Sequence, residues 1–236
     1  YVYRPQYESK KEGPYHWNEA IHPEINAAEE FKYNKKQASD YLNSGFGIVL
    51  SHQQDGIARG TACLVSLSDE KEQKSILSEK SASCFSFKKG ASRQKYPSSL
   101  MGSISLLKQL FLDSYWYQNS NKTTNLSFNA FNQQMGLSHI FQTDLLTDYN
   151  RIYKISDEFE IDFIVKGNGK EYQRIDEIKS YNFPVILPLN FPLKYEINNP
   201  EESNILTLSK LKHWETAPYN AKVLSENNIP FCFTMS

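Results

Sequence analysis

Ile161-Asp162-Phe163-Ile164-Val165-Lys166-Gly167-Asn168-Gly169 and Pro184-Val185-Ile186-Leu187 are the two most strand-like stretches of the sequence. Each core is short, β-branched and mostly apolar, and Tyr172, Ile175 and Ile178 recur between them at helical spacing. A strand that is apolar on both faces is one buried on both. A helix between two such strands is the crossover that a parallel pair requires. Working outward, the alternation continues. Thr147 opens a helix with Tyr149, Ile152, Ile155 and Phe159 inward, behind a short strand at Ile140-Phe141. On the other side, helices near 206–214 and 221–226 precede a strand at 229–234. No GxGxxG and no phosphate loop follows any of these strands, so a barrel fits better than a nucleotide-binding open sheet.

The first half reads less regularly. Residues 1–37 are rich in Pro, Gly, aromatics and charge without a sustained period, which predicts an irregular N-terminal arm. Ala38, Tyr41 and Leu42 suit a short helix ending at Gly45, followed by the strand Phe46-Gly47-Ile48-Val49-Leu50 and a second apolar run over 61–67. Residues 69–97 are polar and Ser/Lys/Glu-rich, the pattern of a surface insertion outside the barrel. Ser98 or Ser99 then caps a helix with Ile104, Leu107, Leu110 and Phe111 on one face. Residues 118–125 read as a polar linker. The predicted fold class is α/β, a (β/α)8 TIM-barrel-like segment over 38–236, incomplete because its first strand would lie before Tyr1.

Composition narrows the function. Apolar residues make up 39% of the 236-residue chain, enough for a sizeable core, and the formal net charge is -1. A dominant nucleic-acid surface shows as a basic excess, so no nucleic-acid partner is expected. The run Lys88, Lys89, Arg93, Lys95 suits a solvated loop. Cys63, Cys84 and Cys232 have neither the parity nor the CxxC spacing of a disulfide framework or zinc knot. No apolar run reaches the roughly 18 residues of a membrane span, and nothing in the sequence assigns a compartment. The expected partners are a small-molecule substrate or ligand and the remainder of the same polypeptide.

Three segments together resemble the imidazolonepropionase-related branch of the amidohydrolases. Gly45-Phe46-Gly47-Ile48-Val49-Leu50, with 55–62 after it, is similar to that family's GVTTV strand and Gly-rich loop. Ser99-Leu100-Met101-Gly102, then Leu106-Leu107-Lys108-Gln109, Asp113 and Trp116-Tyr117, resemble its MG…LLRQ…D…WY helix. Asp157-Glu158-Phe159, Tyr172, Asp176-Glu177 and Pro184-Val185-Ile186-Leu187 resemble its EEFG…EAY…DEL…PVIL run. The resemblance implies a metal-dependent hydrolase of non-peptide C–N bonds. Its metals would be held at the carboxyl ends of barrel strands by an HxH pair, a Lys or Glu, two further His and an Asp. There they lower the pKa of a bridging water and polarise the scissile carbonyl.

This sequence departs from that pattern. The fifth-strand His falls on Gln142, the sixth-strand His near Lys166-Gly167-Asn168, and the eighth-strand Asp at or beyond Ser236. Glutamine is a poor zinc ligand. No cofactor is therefore expected in this chain, and zinc only where missing segments supply ligands. The alternative is a non-catalytic amidohydrolase-like barrel acting as a ligand-binding or interaction domain. The pocket-lining candidates are His52, Asp55, Arg59, Gln142, Lys166, Asn168 and Asn190. Lys166 and the glycines after it read equally as a mouth-lining anion contact or as a tight strand-to-helix turn. His139 reads as structural, His16 and His22 belong to the arm, and His213 packs a helix end.

Overall fold

The computed structural model describes residues 8–68, 72–119, 123–195 and 206–235. The chain divides into two compact units, Tyr1–Ile140 and Phe141–Ser236.

In the first unit the described residues 8–34 are irregular apart from the short α1 (Ala27–Glu30), capped by Asn26, and two isolated bridges, Ile21 to Ala58 and Asn26 to Thr61. Helix α2 (Lys35–Asn43) starts where the Asn34 side chain accepts the Gln37 N–H, and Gly45 leaves it at φ 93°. Strands β1 (Ile48–His52) and β2 (Ala58–Ser66) then form an antiparallel hairpin, with Ile48 opposite Ser66 and His52 opposite Ala62. After α3 (Glu72–Ser75) comes β3 (Ile76–Ser86), antiparallel to β2, with Ala58 opposite Phe85. These pairings correct the all-parallel expectation for this half. The β1–β2 link is residues 53–57, too short for the crossover that a parallel pair needs.

The stretch 69–97 is corrected as well. Residues 69–71 lie outside the described residues, and the rest carries β3, the longest of the described strands, whose end (Ala82, Ser83, Cys84, Phe85, Ser86) is buried. Its serines make the sequence look solvated, but Ser83 and Ser86 find partners inside. Ser83 Oγ lies 2.5 Å from His139 Nδ1, and Ser86 Oγ accepts from Arg59. His139 is thereby a buried structural residue.

Helix α4 (Leu100–Gln118) is capped by Ser99, which accepts the Gly102 N–H at 3.2 Å. Loss of such a cap costs about 1 kcal/mol. Ser99→Ala should therefore lower stability by that amount in urea denaturation, while Ser98→Ala, one residue outside the cap, should leave the midpoint unchanged. Of the linker expected over 118–125, residues 120–122 lie outside the described residues, Asn119 and 123–125 are non-helical, and α5 (Leu126–Gln134) follows, capped by Asn125. Leu106, Leu107 and Leu110 of α4 are fully buried, and Phe111 and Phe131 meet edge-on at 5.2 Å beside Phe85. The arm runs along β2 as an added edge. Ile57 N–H donates to Ala20 O at 2.7 Å, His22 N–H to Ala58 O at 2.7 Å, and Thr61 N–H to Ile25 O at 3.0 Å.

Strand β4 (Ser138–Gln142) spans the division between the units. The second unit follows the predicted alternation. It runs α6 (Asp148–Phe159), β5 (Phe163–Lys166), a 3-10 turn (Glu171–Arg174), α7 (Ile175–Tyr181), β6 (Val185–Pro188), α8 (Leu208–Thr216), a second 3-10 turn (Ala217–Tyr219), α9 (Asn220–Glu226) and β7 (Phe231–Thr234). Strands β5, β6 and β7 are parallel, with Lys166 opposite Ile186 and Ile186 opposite Cys232. Tyr149, Ile152, Ile155, Ile178 and Leu224 form the helical side of this core.

Candidate functional site

In a parallel sheet, residues paired across strands share a face and alternate residues along a strand change face. Phe141 meets Phe163 edge-on at 5.6 Å. Those rings, with Val165, Val185 and Leu187, are buried on one face. Gln142, Lys166, Ile186, Pro188, Cys232 and Thr234 therefore occupy the other, and four of them (Gln142, Lys166, Pro188, Thr234) sit at the carboxyl ends of their strands. This is the edge beyond which parallel α/β sheets bind ligands.

The loops leaving that edge are held by backbone bonds. Thr143 N–H donates to Lys166 O at 3.0 Å, Gly167 N–H to Ile186 O at 3.0 Å, and Leu189 N–H to Thr234 O at 2.9 Å. Asn168 turns back over the next loop, its Nδ2 donating to Asp144 O at 2.8 Å. Lys166 is 9% exposed, whereas Asn190 is exposed beyond β6. The structure thus brings Gln142 and Lys166 together at one edge, with Asn168 and Asn190 on the loops that leave it.

The other three candidates belong to the first unit. His52 ends β1, its Nδ1 2.8 Å from Gln53 O. Asp55 accepts the Ala91 N–H at 2.7 Å. Arg59, expected at a pocket wall, lies inside the hairpin at 2% exposure, donating to Gly56 O at 3.0 Å and Ser86 Oγ at 2.8 Å. A buried guanidinium needs acceptors, and the hairpin supplies them.

Two residues the sequence did not single out complete the edge. Glu171 is fully buried, and four donors converge on its carboxyl group. They are the N–H groups of Asn168 (2.8 Å) and Gly169 (3.3 Å), the Tyr149 hydroxyl (3.4 Å) and Asn220 Nδ2 (2.7 Å). Asn220 Oδ1 in turn accepts the Tyr172 N–H at 2.9 Å. Burial first, and then Glu171, hold the Tyr149 hydroxyl well above the usual phenol range. Gly167 is required here, because a Cβ on it would come within 2.0 Å of Glu171 Oε1. The only sequence signal was the glycine pair around Asn168, since a helix-borne glutamate ordinarily faces solvent. His213 stacks on Tyr172 and shares a 2.8 Å hydrogen bond with its hydroxyl.

The donor set does not suit a divalent metal. Gln142, Lys166 and Asn168 offer no imidazole, thiolate or carboxylate. Asp148 is taken by Thr143 and Arg151, both at 2.7 Å, and Glu171 by its four donors. Among the described residues no group of three or more His, Cys, Asp or Glu could hold a metal ion.

No family model matches the sequence, and no curated protein matches it. A solved structure does: an amidohydrolase from Thermotoga maritima MSB8, with a TM-score of 0.66 and 14% identity over 92% of this chain. The fold is amidohydrolase-like. The chain spans 58% of the Thermotoga chain's length. At this identity the likeness carries the amidohydrolase-like fold and not the chemistry. Among the described residues no helix is long and apolar enough to cross a membrane.

Proposed function

We propose that this chain is part of an amidohydrolase-type protein of the imidazolonepropionase-related branch, a hydrolase of non-peptide C–N bonds, and that it supplies a ligand-holding wall. The likeness to the Thermotoga amidohydrolase and the three sequence segments support the class. The observation that carries the role is the carboxyl edge of β4 and β5, where Gln142 and Lys166 end their strands and Asn168 stands on a loop fixed by Glu171. One cation among amides suits a small molecule bearing a carboxylate or another compact anionic group. The metal-activated water of such hydrolases would need zinc ligands from elsewhere in the polypeptide. The second reading, a ligand-binding domain without catalysis, is favoured by Gln142 at the position where the resemblance expects His.

Two measurements test this. Elemental analysis of the purified chain should find less than stoichiometric zinc. Zinc at one equivalent, lost on substituting Gln142 or Lys166, would overturn the assignment of the metal positions. Acetate and inorganic phosphate should shift the amide resonances of Gly167, Asn168 and Gly169 in the wild-type chain, and Lys166→Met should weaken that response about tenfold. An unaltered response in Lys166→Met would remove the lysine from the site.

A further inference from the structure

The carboxyl group of Glu171 is the hub of the edge just described. Its Oε1 gathers two consecutive backbone N–H groups of the loop that leaves Lys166, together with the Tyr149 hydroxyl of α6. Its Oε2 takes Asn220 at the start of α9. Asn220 is itself buried and closes the ring by accepting the Tyr172 N–H. The loop therefore reaches two helices through one side chain. Gly167, the residue next to Lys166, has no Cβ where that side chain passes. A loop fixed only by its turn would not need this arrangement. A buried carboxyl group without donors is costly, so the same contacts that satisfy Glu171 lock the loop.

We propose that Glu171 is the positioning residue of the carboxyl-edge site, with Asn220 as its obligatory partner. Together they set the backbone of 166–169, whose N–H groups are spent on Ile186 O and on Glu171, so that the loop holds Lys166 in a fixed position toward a bound anion. The proposal rests on the ligand-wall reading above. Its physical core is a donor–acceptor match: an acceptor at 171 faces the donor end of 220, and the acceptor end of 220 faces a backbone donor. Glu171→Gln brings two NH2 groups face to face. Asn220→Asp alone brings two carboxyl groups together. The transposed pair, Glu171→Gln with Asn220→Asp, restores every donor to an acceptor at unchanged total charge. In that pair the amide carbonyl at position 171 still accepts from Asn168 and Gly169. The amide NH2 donates to the carboxylate now at position 220, which also accepts the Tyr172 N–H.

The experiment titrates acetate and inorganic phosphate into the full chain, following the amides of Gly167, Asn168 and Gly169, with Val165 and Val185 as reporters of the fold. The expected result is at least tenfold weaker binding in Glu171→Gln and recovery to within about threefold of wild type in the transposed pair. Amide hydrogen exchange at Asn168 and Gly169 should accelerate at least tenfold in the single variant and return in the pair. Should Glu171→Gln fail to fold, Gly167→Ala displaces the same carboxyl group and replaces it as the single variant. Wild-type affinity in a folded single variant, or a transposed pair no better than the single, overturns the positioning role and leaves the wall reading standing. No response to either anion in the wild-type chain overturns the wall reading itself, and the exchange rates then decide whether Glu171 still orders the loop.

Discussion

Gly60→Ala should destabilise the first unit by roughly 4 kcal/mol or more, placing it among the most damaging single substitutions in the chain. Gly60 lies within β2 at φ +80°, where the pairing with β3 shifts register between Ala58 and Thr61. A side chain in this left-handed region costs about 1–2 kcal/mol by itself. The larger cost is steric. A Cβ here would lie 2.1 Å from Ile25 O and 3.0 Å from His22 O, and both are backbone atoms that cannot rotate away. The arm would have to lift, forfeiting the bonds from Thr61 N–H to Ile25 O and from His22 N–H to Ala58 O, at about 1 kcal/mol each. Urea denaturation gives the loss in midpoint, and limited proteolysis at 20–30 shows whether the arm has detached. Gly136→Ala is the control, since a Cβ there meets nothing within 4 Å. A Gly60→Ala chain with the wild-type midpoint would refute the docking of the arm on β2.

The second large effect is acid lability centred on His16. Its ring is buried between Trp17, stacked at 5.5 Å, and Phe128, edge-on at 5.7 Å. Nδ1 accepts the Asn18 N–H at 3.0 Å, and Nε2 is buried with no hydrogen-bond partner among the described residues. Burial lowers the imidazole from its ordinary 6.5 to about 4, and Lys11 and His22 push the same way, against Glu24. A proton added at Nδ1 would also turn the acceptor of the Asn18 N–H into a donor. Because the folded value lies below the unfolded one, the unfolded chain binds the extra proton between those limits. Stability is fully present above about pH 6.5 and falls as pH drops toward 4, by on the order of 3 kcal/mol for the whole interval. His22, also lowered by burial, adds to the fall with the same sign. Denaturation midpoints from pH 7 to 4 should show a steeper decline for the wild-type chain than for His16→Phe. Equal slopes would mean that the imidazole is not buried neutral. The comparison of slopes holds whatever His16→Phe does to stability at pH 7.

The alternation of the second unit and the start of α4 were legible along the chain. Strand–helix alternation is local information: Val165 and Ile178 announce their burial through spacing alone, and Ser99 marks the start of α4 through the chemistry of its own side chain. Lys166 falls at a strand end for the same reason, whereas Gln142 is placed by the resemblance to the amidohydrolases. Strand direction in the first unit, and the partners of its polar side chains, were decided by the tertiary structure. Apolar β2 has the same composition in a parallel or an antiparallel pair, and only its neighbours, β1 on one side and β3 on the other, fix which it is. Ser83 and Ser86 of β3 read as solvated because a hydroxyl's partner is invisible along the chain, and His139 and Arg59 come from far away to meet them. Glu171 is the sharpest case. On sequence it is one more acidic residue on a helix facing water, and it is buried because Asn220, distant in the chain, brings a donor to it. Patterning records how much surface a residue hides. It cannot record which distant group satisfies a polar atom, and in this protein that pairing is what builds the candidate site.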